Sequence, residues 1–336
     1  MNPKKHVTLQ EVARHAGVSR ATASLAVRGS QSISETTREK VFAAMRELGY
    51  VYHRGAANLR SKSSTTVALL IMELANPFYS EILIGVYNEL DKCNRTVILG
   101  TTFDSQTIQD RLLTTLLEHR IGGVIMFPVS GSTGETIERV SQWGVPVVFV
   151  GRVVPGIECD FVGVDNAAGG EMAVRHLIQK GHRRIAMLGG SHKLTSWVGR
   201  KEGYDKALRE AGIESDASLV LQGPATRDCG AELVQQLLRL PDPPTAIFCY
   251  NDIIAIGAMM KLKEMGLTPG RDIAIVGFDN IPEASIFSPK LTTVSSHVRL
   301  MGKHAAALLC TRMENPDLEP RKIIVHPELI IRESCS

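Results

Sequence analysis

The residues with the clearest potential for chemistry lie in a short basic stretch near the N-terminus. Arg20 stands at the start of a predicted helix, where its guanidinium can donate two hydrogen bonds to a guanine edge. Ala21 and Leu25 lie on the same helix and can give apolar contacts, for instance to a thymine methyl group. Other side chains suit phosphate oxygens, which position a protein on DNA without reading its sequence. This second set consists of Ser19, Thr22, Ser24 and Arg28.

Polar residues that could bind a small molecule close apolar runs farther along the chain. Asp165, Asn251 and Asp279 each stand at the end of a run that is predicted as a strand. Ligands of open α/β sheets bind beyond the carboxyl ends of the strands. Together with the guanidinium of Arg200, these amide and carboxylate groups can saturate the paired hydroxyls of a sugar. Asp165, like Asp252, could instead cap the helix that follows it.

Three predicted helices position the N-terminal residues. Thr8 and Glu11 have the spacing of a capping box, and Gly17 ends the first helix with a tight turn. Ser19 can cap a second helix that begins at Arg20, and a third helix follows. Two short helices joined by a turn that contains Gly are typical of a helix-turn-helix, whose second helix enters the major groove. We therefore include Thr8 with the residues expected to contact DNA.

The rest of the chain alternates between apolar runs and amphipathic stretches, which predicts an α/β fold. Near-continuous apolar strands joined by helices indicate parallel sheets covered on both faces. Because the pattern occurs twice, we expect two doubly wound lobes. Lys322 to Arg332 is predicted as one strand that contains Pro327. The runs predicted as strands are Val67–Met72, Arg95–Thr101, Gly123–Val129, Pro146–Gly151, Phe161–Val164, Arg184–Gly189, Leu219–Gln222, Ala246–Tyr250 and Ile273–Gly277.

The charge distribution supports a polyanionic partner for the N-terminal segment. The chain has 336 residues, with 38 Lys and Arg against 35 Asp and Glu. Residues 1 to 62 hold 11 of the basic residues and only 4 of the acidic ones, a balance of +7. The remainder carries 27 basic and 31 acidic residues, a balance of −4. A basic head on a mildly acidic body favours double-stranded DNA as the partner of the head.

Several classes of protein are disfavoured by what the sequence lacks. No apolar run is long enough to span a bilayer, and no apolar stretch of signal-peptide length follows the N-terminus. The six cysteines contain no C-x-x-C pair, which argues against a disulfide framework and a zinc ribbon. P-loop, nucleophile-elbow and zincin motifs are absent from the sequence. We expect a cytoplasmic protein that is not an enzyme and needs neither metal nor cofactor.

Two stretches of the N-terminal region resemble the lactose-repressor/galactose-repressor family of bacterial transcription regulators. Val7 to Ser19 (VTLQEVARHAGVS) matches the opening of the family, and the residues from Ser34 to Tyr50 continue it in register. The resemblance extends along the whole chain. Leu25 stands where several members carry Arg, and Tyr52-His53 replaces the usual Pro-Asn. The operator sequence of a relative therefore does not carry over.

The resemblance implies a hinge between the head and the body. In the family, the stretch that corresponds to residues 53–62 becomes a short helix on operator binding and pairs with its dimer mate. Leu59 matches the Leu that wedges into the minor groove, with Ala56 and Asn58 on the adjoining surface. Such a wedge kinks the duplex. A plain flexible linker is the alternative.

The resemblance also implies an effector site and a domain plan. Segments that contain Phe78, Arg200, Asn251 and Asp279 match those that line the effector cleft of relatives, and Asp165 is added to this set. Trp197 or Tyr250 could replace Phe78 as the apolar face for a ring. We expect a DNA-binding domain over 1–52, a hinge over 53–64 and a periplasmic-binding-protein-like core over 65–336. The first lobe would take about 65–161 and 291–320, and the second about 162–290 and 321–336.

The resulting hypothesis is a nucleoid-associated repressor that binds a palindromic operator as a homodimer, with no membrane partner. A two-fold dimer places two recognition helices about one DNA turn apart. We expect a sugar or sugar phosphate as effector, with a nucleobase as the alternative. A soluble sugar-binding protein and an α/β enzyme are further alternatives, and the basic head argues against the first of them.

Overall fold

The computed structural model describes residues 7–51 and 64–335. It divides into two compact units, residues 1–63 and residues 64–336. The predicted hinge residues Ala56, Asn58 and Leu59 lie outside the described residues. None of the described helices is long and apolar enough to cross a membrane.

Three helices form the N-terminal unit: α1 (Leu9–His15), α2 (Arg20–Val27) and α3 (Glu35–Leu48). Each begins where a hydroxyl side chain satisfies a backbone amide that the helix itself cannot pair. Thr8 Oγ1 accepts from Glu11 N at 3.3 Å, and Thr8 N donates to the Glu11 carboxylate at 2.7 Å, so the capping box forms as predicted. Gly17 adopts a φ of +67°, which allows the tight turn between α1 and α2. The buried core of the unit consists of Val12, Ala13, Ala23, Ala26, Val41 and Ala44.

Strands and helices alternate in the second unit. The strands are β1 (Thr66–Ile71), β2 (Thr96–Thr101), β3 (Gly123–Met126), β4 (Val147–Val150), β5 (Asp160–Val164), β6 (Ile185–Leu188), β7 (Val220–Leu221), β8 (Ala246–Cys249), β9 (Ala274–Asp279), β10 (Thr292–Ser295), β11 (Lys322–Val325) and β12 (Glu328–Ile330). The helices are α4 (Pro77–Asp91), α5 (Gln106–Glu118), α6 (Gly134–Gln142), α7 (Asn166–Gln179), α8 (Thr195–Glu210), α9 (Arg227–Leu237), α10 (Asp252–Glu264), α11 (Glu283–Ile286) and α12 (Val298–Glu314).

Within residues 64–335 the strands form two six-stranded sheets, which confirms the predicted pair of α/β lobes. The first sheet has the order β11-β5-β4-β3-β1-β2, and its strand pairs are parallel. The second has the order β12-β10-β9-β8-β6-β7, and only β12 among these strands runs antiparallel to its neighbour. Because helices cover both faces of the two sheets, their strands are mainly buried and apolar.

The chain crosses between the lobes at points that differ from those expected. The crossings lie at Asp165, at Ser296–His297 and at His326–Pro327, rather than near 161, 290 and 320. β10 therefore belongs to the second lobe, where it pairs with β9, and β11 belongs to the first lobe, where it pairs with β5. The predicted single strand over 322–332 is two strands in different sheets. Pro327 explains the break, because proline has no N–H to donate to a ladder.

Candidate ligand cleft and nucleic-acid interface

A cleft of about 700 Å³ opens between the two lobes of the second unit. Its walls include the residues that follow β1, β3 and β4 in the first lobe and those at the ends of β8 and β9 in the second. This is the edge at which open α/β sheets bind ligands. The volume also lies within the usual range for small-molecule sites. Four of the predicted ligand contacts line it: Phe78, Arg200, Asn251 and Asp279.

Arg200 on α8 donates most of its hydrogen bonds to other groups of the protein. Its Nε donates to Asn166 Oδ1 at 2.9 Å, and its Nη1 donates to the Tyr250 carbonyl. Its Nη2 lies 3.5 Å from Asp279 Oδ1. The guanidinium carbon also stacks 3.6 Å from the centroid of the Phe278 ring. Arg200 is therefore a brace that joins the ends of β8 and β9, and not chiefly a free fork for ligand hydroxyls.

Two glycines allow α8 to approach closely enough for this brace. A Cβ at Gly203 would lie 2.1 Å from the Ala167 carbonyl oxygen on α7. A Cβ at Gly170 would lie 2.3 Å from the carbonyl oxygen of Arg200 itself. Such distances are far shorter than van der Waals contact, so any side chain at either position would push the two helices apart. The position of the Arg200 backbone thus depends on two residues that do not touch a ligand.

Asp279 ends β9 at the floor of the cleft. It is 5% exposed and adopts a φ of 110°, a backbone conformation that costs energy for a residue other than glycine. Burial raises the pKa of Asp279 to about 6, although the charge of Arg200 and the Ser296 hydroxyl act in the opposite direction. This carboxyl group can therefore accept or donate hydrogen bonds near pH 6 and mainly accepts them at higher pH.

Asp252 and Asn251 begin α10 beside the floor of the cleft. Asn251 caps the helix, with Oδ1 accepting from Ile254 N at 3.1 Å, so its amide nitrogen is the group that can donate to a ligand. Asp252 is fully buried and accepts from Ile281 N at 2.9 Å and from the Thr293 hydroxyl. Burial raises the pKa of Asp252 well above its ordinary value, and the Asp279 carboxyl raises it further. Asp252 therefore ties β10 and the segment after β9 to α10 and does not line the cleft.

Aromatic rings form the facing wall in the first lobe. The rings of Phe78, Tyr79 and Phe127 pack edge to face, with centroids 5.2 to 5.8 Å apart. Asn76 fixes the start of α4 beneath them, because its Oδ1 accepts from Phe78 N at 3.0 Å. Burial raises the pKa of Tyr79, so its hydroxyl stays protonated at neutral pH. The wall offers ring edges and faces to a flat or cyclic ligand.

The charged side chains that line the cleft balance one another. The cations are Arg152, Lys193 and Arg200, and the anions are Glu73, Asp104 and Asp279. Arg152 Nη1 lies 3.1 Å from Asp104 Oδ1, so two of the three cations face a carboxylate of the same cleft. This arrangement suits a ligand without net charge.

Asp165 does not reach the cleft. Its Oδ1 accepts from Ala168 N at 2.9 Å, so it caps α7 at the first crossing between the lobes. The following residue, Asn166, lines the cleft instead and holds Arg200. Trp197 donates from Nε1 to the Gly189 carbonyl at 2.9 Å and is not among the lining residues, whereas Tyr250 is.

Sequence reasoning missed several lining residues, among them Arg152, Asp104 and Phe127. Arg152 could have been found from the sequence, since it follows the predicted strand Pro146–Gly151 directly, as Asn251 follows the predicted strand Ala246–Tyr250. Phe127 could not, because the predicted strand ran to Val129, whereas the observed β3 ends at Met126. Nothing in the sequence pointed to Asp104, because its role depends on an ion pair with Arg152, which lies on a separate loop. Among the described residues, no group of three or more His, Cys, Asp or Glu is arranged to hold a metal ion.

In the first unit, α2 has one buried face and one exposed face. Ala23 and Ala26 are buried against α1 and α3, whereas Arg20 and Arg28 are exposed. Ser19 Oγ accepts from Thr22 N at 3.0 Å, so this hydroxyl caps the helix. Positions i, i+1, i+4, i+5 and i+8 form the outward stripe of a helix. On α2 that stripe consists of Arg20, Ala21, Ser24, Leu25 and Arg28.

Comparison with known proteins finds similar sequences over almost the whole chain. Residues 8–52 match the model of the bacterial regulatory proteins, lacI family, and residues 174–335 match a periplasmic binding protein-like domain. The transcriptional regulator CelR of Thermobifida fusca is 35% identical, over 99% of this chain and 100% of its own length. The transcriptional repressor PurR of Vibrio atlanticus is 33% identical, over 97% of this chain and 98% of its own.

Comparison with solved structures also finds similar proteins over almost the whole chain. A complex of CelR with cellobiose is 34% identical and has a TM-score of 0.74, covering 98% of this chain and 100% of the other. A lac repressor dimer bound to operator and the anti-inducer ONPF is 29% identical and has a TM-score of 0.85, covering 98% and 99%.

Proposed function

The chain belongs to the lacI family of bacterial regulatory proteins, and from that premise we propose that it is a transcriptional repressor controlled by a small molecule. One observation carries the proposal: a single chain combines a helix-turn-helix with a basic outward face and a two-lobed unit with a ligand-sized cleft. The lac repressor, similar over 98% of the chain, is a dimer on an operator. The regulator accordingly acts as a homodimer on a palindromic operator, at the nucleoid in the bacterial cytoplasm.

In this proposal α2 enters the major groove. Arg20 donates to a guanine edge, and Ala21 and Leu25 contact the neighbouring base pairs. The groups that contact phosphates or anchor the head beside them are Thr8, Ser19, Thr22, Ser24 and Arg28. From the family resemblance, Leu59 wedges into the minor groove, with Ala56 and Asn58 on the adjoining surface.

The effector that the cleft suits best is a neutral sugar of about disaccharide size. The aromatic wall around Phe78 can cover the apolar face of a pyranose ring, while Asn251 and Asp279 bind its hydroxyls on the other side. The equal numbers of lining cations and anions argue against a sugar phosphate, which would need unpaired cations. The similar CelR has been solved with cellobiose bound. A nucleobase is the second candidate, because the three packed rings can also take a flat heterocycle.

Control arises from the three crossings between the lobes. A ligand held by both walls favours the closed arrangement of the lobes, and Ser296, at the second crossing, itself lines the cleft. Closure changes the relative angle of the lobes across the dimer. This change disfavours pairing of the two hinges and so releases the operator. The ligand can shift this equilibrium only by its difference in affinity for the two arrangements.

Two experiments test the proposal. Selection from random double-stranded DNA should yield one palindromic sequence that the purified protein binds. A thermal-shift screen over neutral sugars, sugar phosphates, nucleobases and amino acids should give a hit among the neutral sugars. A ligand at 100 times its Kd adds about 2.7 kcal/mol to the free energy of unfolding, which gives a visible shift in Tm. The hit should come back chemically unchanged, because an enzyme would convert it. No sequence preference in the selection would contradict the repressor assignment.

A further inference from the structure

Two thiols from distant parts of the sequence meet at the outer end of the first lobe. Cys93 lies just beyond the end of α4 and is exposed, whereas Cys310 lies on α12 and is partly buried. The two side chains are within hydrogen-bonding reach of each other. The other described cysteines, Cys159, Cys229, Cys249 and Cys335, are partly or fully buried.

The packing of α4 against α12 gives a separate reason why these two thiols lie close together. Arg299 at the start of α12 forms an ion pair with Glu81, with Nη2 and Oε1 3.2 Å apart. A Cβ at Gly85 would lie 2.2 Å from the Arg299 carbonyl oxygen, and a Cβ at Gly302 would lie 2.4 Å from the Ile82 carbonyl oxygen. The two helices therefore run side by side in close contact.

Positions that differ by 217 or 218 face each other along this helix pair. Gly85 and Gly302 have a separation of 217, and so do Cys93 and Cys310. The close packing of the two helices thus brings Cys93 and Cys310 near each other.

Arg95 connects this thiol pair to the point where the chain enters the lobe. It lies in the turn that follows Cys93, and its Nη1 lies 3.5 Å from the Ser64 carbonyl oxygen. The guanidinium also interacts with the Cys310 thiol. Ser64 is the first residue of the second unit, and the sequence before it is the predicted hinge. A movement of the turn over 91–95 therefore reaches the residue that anchors the hinge.

We propose that Cys93 and Cys310 are a redox modification site, in which a disulfide joins α4 to α12 and weakens operator binding. A low-molecular-weight disulfide such as glutathione disulfide is the oxidant. The Cys93 thiolate attacks one of its sulfurs and releases one glutathione thiolate, which leaves a mixed disulfide on Cys93. The Cys310 thiolate then attacks the Cys93 sulfur and releases the second glutathione. Two protein thiols are oxidised, one glutathione disulfide is reduced, and the two thiol protons pass to the released glutathione thiolates.

The order of attack follows from the surroundings of each sulfur. Burial and the neighbouring Cys93 thiol together raise the pKa of Cys310 to about 11, although Arg95 acts in the opposite direction. The exposed Cys93 is accessible to the oxidant, whereas Cys310 resolves the mixed disulfide from close range. Because an S–S bond is only about 2.05 Å long, the turn over 91–95 must move toward α12, which changes the contact between Arg95 and Ser64.

The disulfide itself is tested without reference to DNA. The full-length protein is equilibrated with mixtures of glutathione and glutathione disulfide, alkylated, digested and analysed by mass spectrometry. We expect a linked peptide pair containing Cys93 and Cys310, lost in Cys93→Ser and in Cys310→Ser. Cys159→Ser is the matched control in the same lobe and should leave the link intact. A disulfide between other positions, a link between two chains, or no link at all would overturn the inference.

The regulatory half rests on the proposed function and uses the selected operator. The oxidised wild type should bind it at least about threefold more weakly than the reduced protein, and dithiothreitol should restore the affinity. Cys93→Ser should bind equally under both conditions. Equal affinity of the oxidised and reduced wild type would refute the regulatory role. Failure to find any operator would count against the proposed function, and the mass-spectrometric result would still decide the disulfide.

Discussion

Arg200 and Asp279 meet at the floor of the cleft, with Arg200 Nη2 3.5 Å from Asp279 Oδ1 and both side chains almost entirely buried. A buried ion pair is costly to break from one side, because the remaining charge loses its partner without regaining water. The pair therefore fixes the ends of β8 and β9 in the geometry that a ligand meets.

Removal of Arg200 should destabilise the protein. We expect Arg200→Met to lower the free energy of unfolding by about 3 kcal/mol, as is typical when one partner of a buried pair is lost. The double variant Arg200→Met/Asp279→Asn should recover part of this loss, since it leaves no unpaired carboxylate. Urea denaturation of both variants measures the difference. A loss below about 1 kcal/mol in the single variant would show that the pair does not brace the cleft.

The stability of the protein should depend on pH through Asp279. The pKa of this group is about 6 in the folded protein and near 3.8 in an unfolded chain, so the folded state holds the proton more tightly. Its contribution to stability is therefore present below about pH 4 and decreases as pH rises through 6. Asp279→Asn lacks this decrease. Relative to wild type, it should gain on the order of 1 kcal/mol between about pH 5 and 7.5 in urea titrations. A constant difference across that range would contradict the shifted pKa.

Close packing of α7 on α8 should make Gly203 intolerant of a side chain. In Gly203→Ala the new methyl group meets the Ala167 carbonyl, so α8 must shift and move Arg200 with it. We expect a loss of about 2 kcal/mol in stability and at least tenfold weaker effector binding by calorimetry. Val198→Ala, at an exposed position of the same helix, is the control and should stay within about 0.5 kcal/mol of wild type. If Gly203→Ala bound the effector as tightly as wild type does, the effector site would not depend on this helix packing.

Base reading by Arg20 should appear as a loss of specificity. Arg20→Ala should lose about 1–3 kcal/mol on the selected operator and accept other bases at one position, with little change on random DNA. Lys40→Ala, at an exposed position of α3, removes the same charge and should leave the base preference unchanged. Anisotropy titrations with operator variants distinguish the two. An equal loss on operator and random DNA would show that Arg20 contacts phosphates only.

The wedge proposed for Leu59 should bend the operator. Leu59→Ala should reduce both the bend angle and the affinity, because less of the side chain is available to unstack the base step. Circular-permutation mobility assays measure the bend. An unchanged bend with Leu59→Ala would eliminate the wedge.

Local patterns predicted much of the fold and part of the cleft. The capping box at Thr8, the turn at Gly17 and the alternation of strands and helices depend on neighbouring residues, which a sequence displays directly. Asn251 and Asp279 were predicted as cleft residues because each ends a strand at the ligand-binding edge. Asp165 also ends a strand and caps the helix that follows, as Asn251 does, but only Asn251 lines the cleft.

Features that depend on contacts between distant residues were not predictable in this way. The assignment of β10 and β11 to lobes depends on pairing with β9 and β5, and each strand is only four residues long. The use of Arg200 as a brace depends on three partners from separate elements. The meeting of Cys93 with Cys310 depends on the register of two helices more than 200 positions apart.

The most direct test of the central claim is an anisotropy titration of the selected operator, with and without the sugar found in the thermal-shift screen. We expect the sugar to weaken operator binding by wild type at least tenfold. Asp279→Asn should bind the operator like wild type but should not respond to the sugar. An operator affinity that the sugar leaves unchanged in the wild type would contradict the claim that the cleft controls DNA binding.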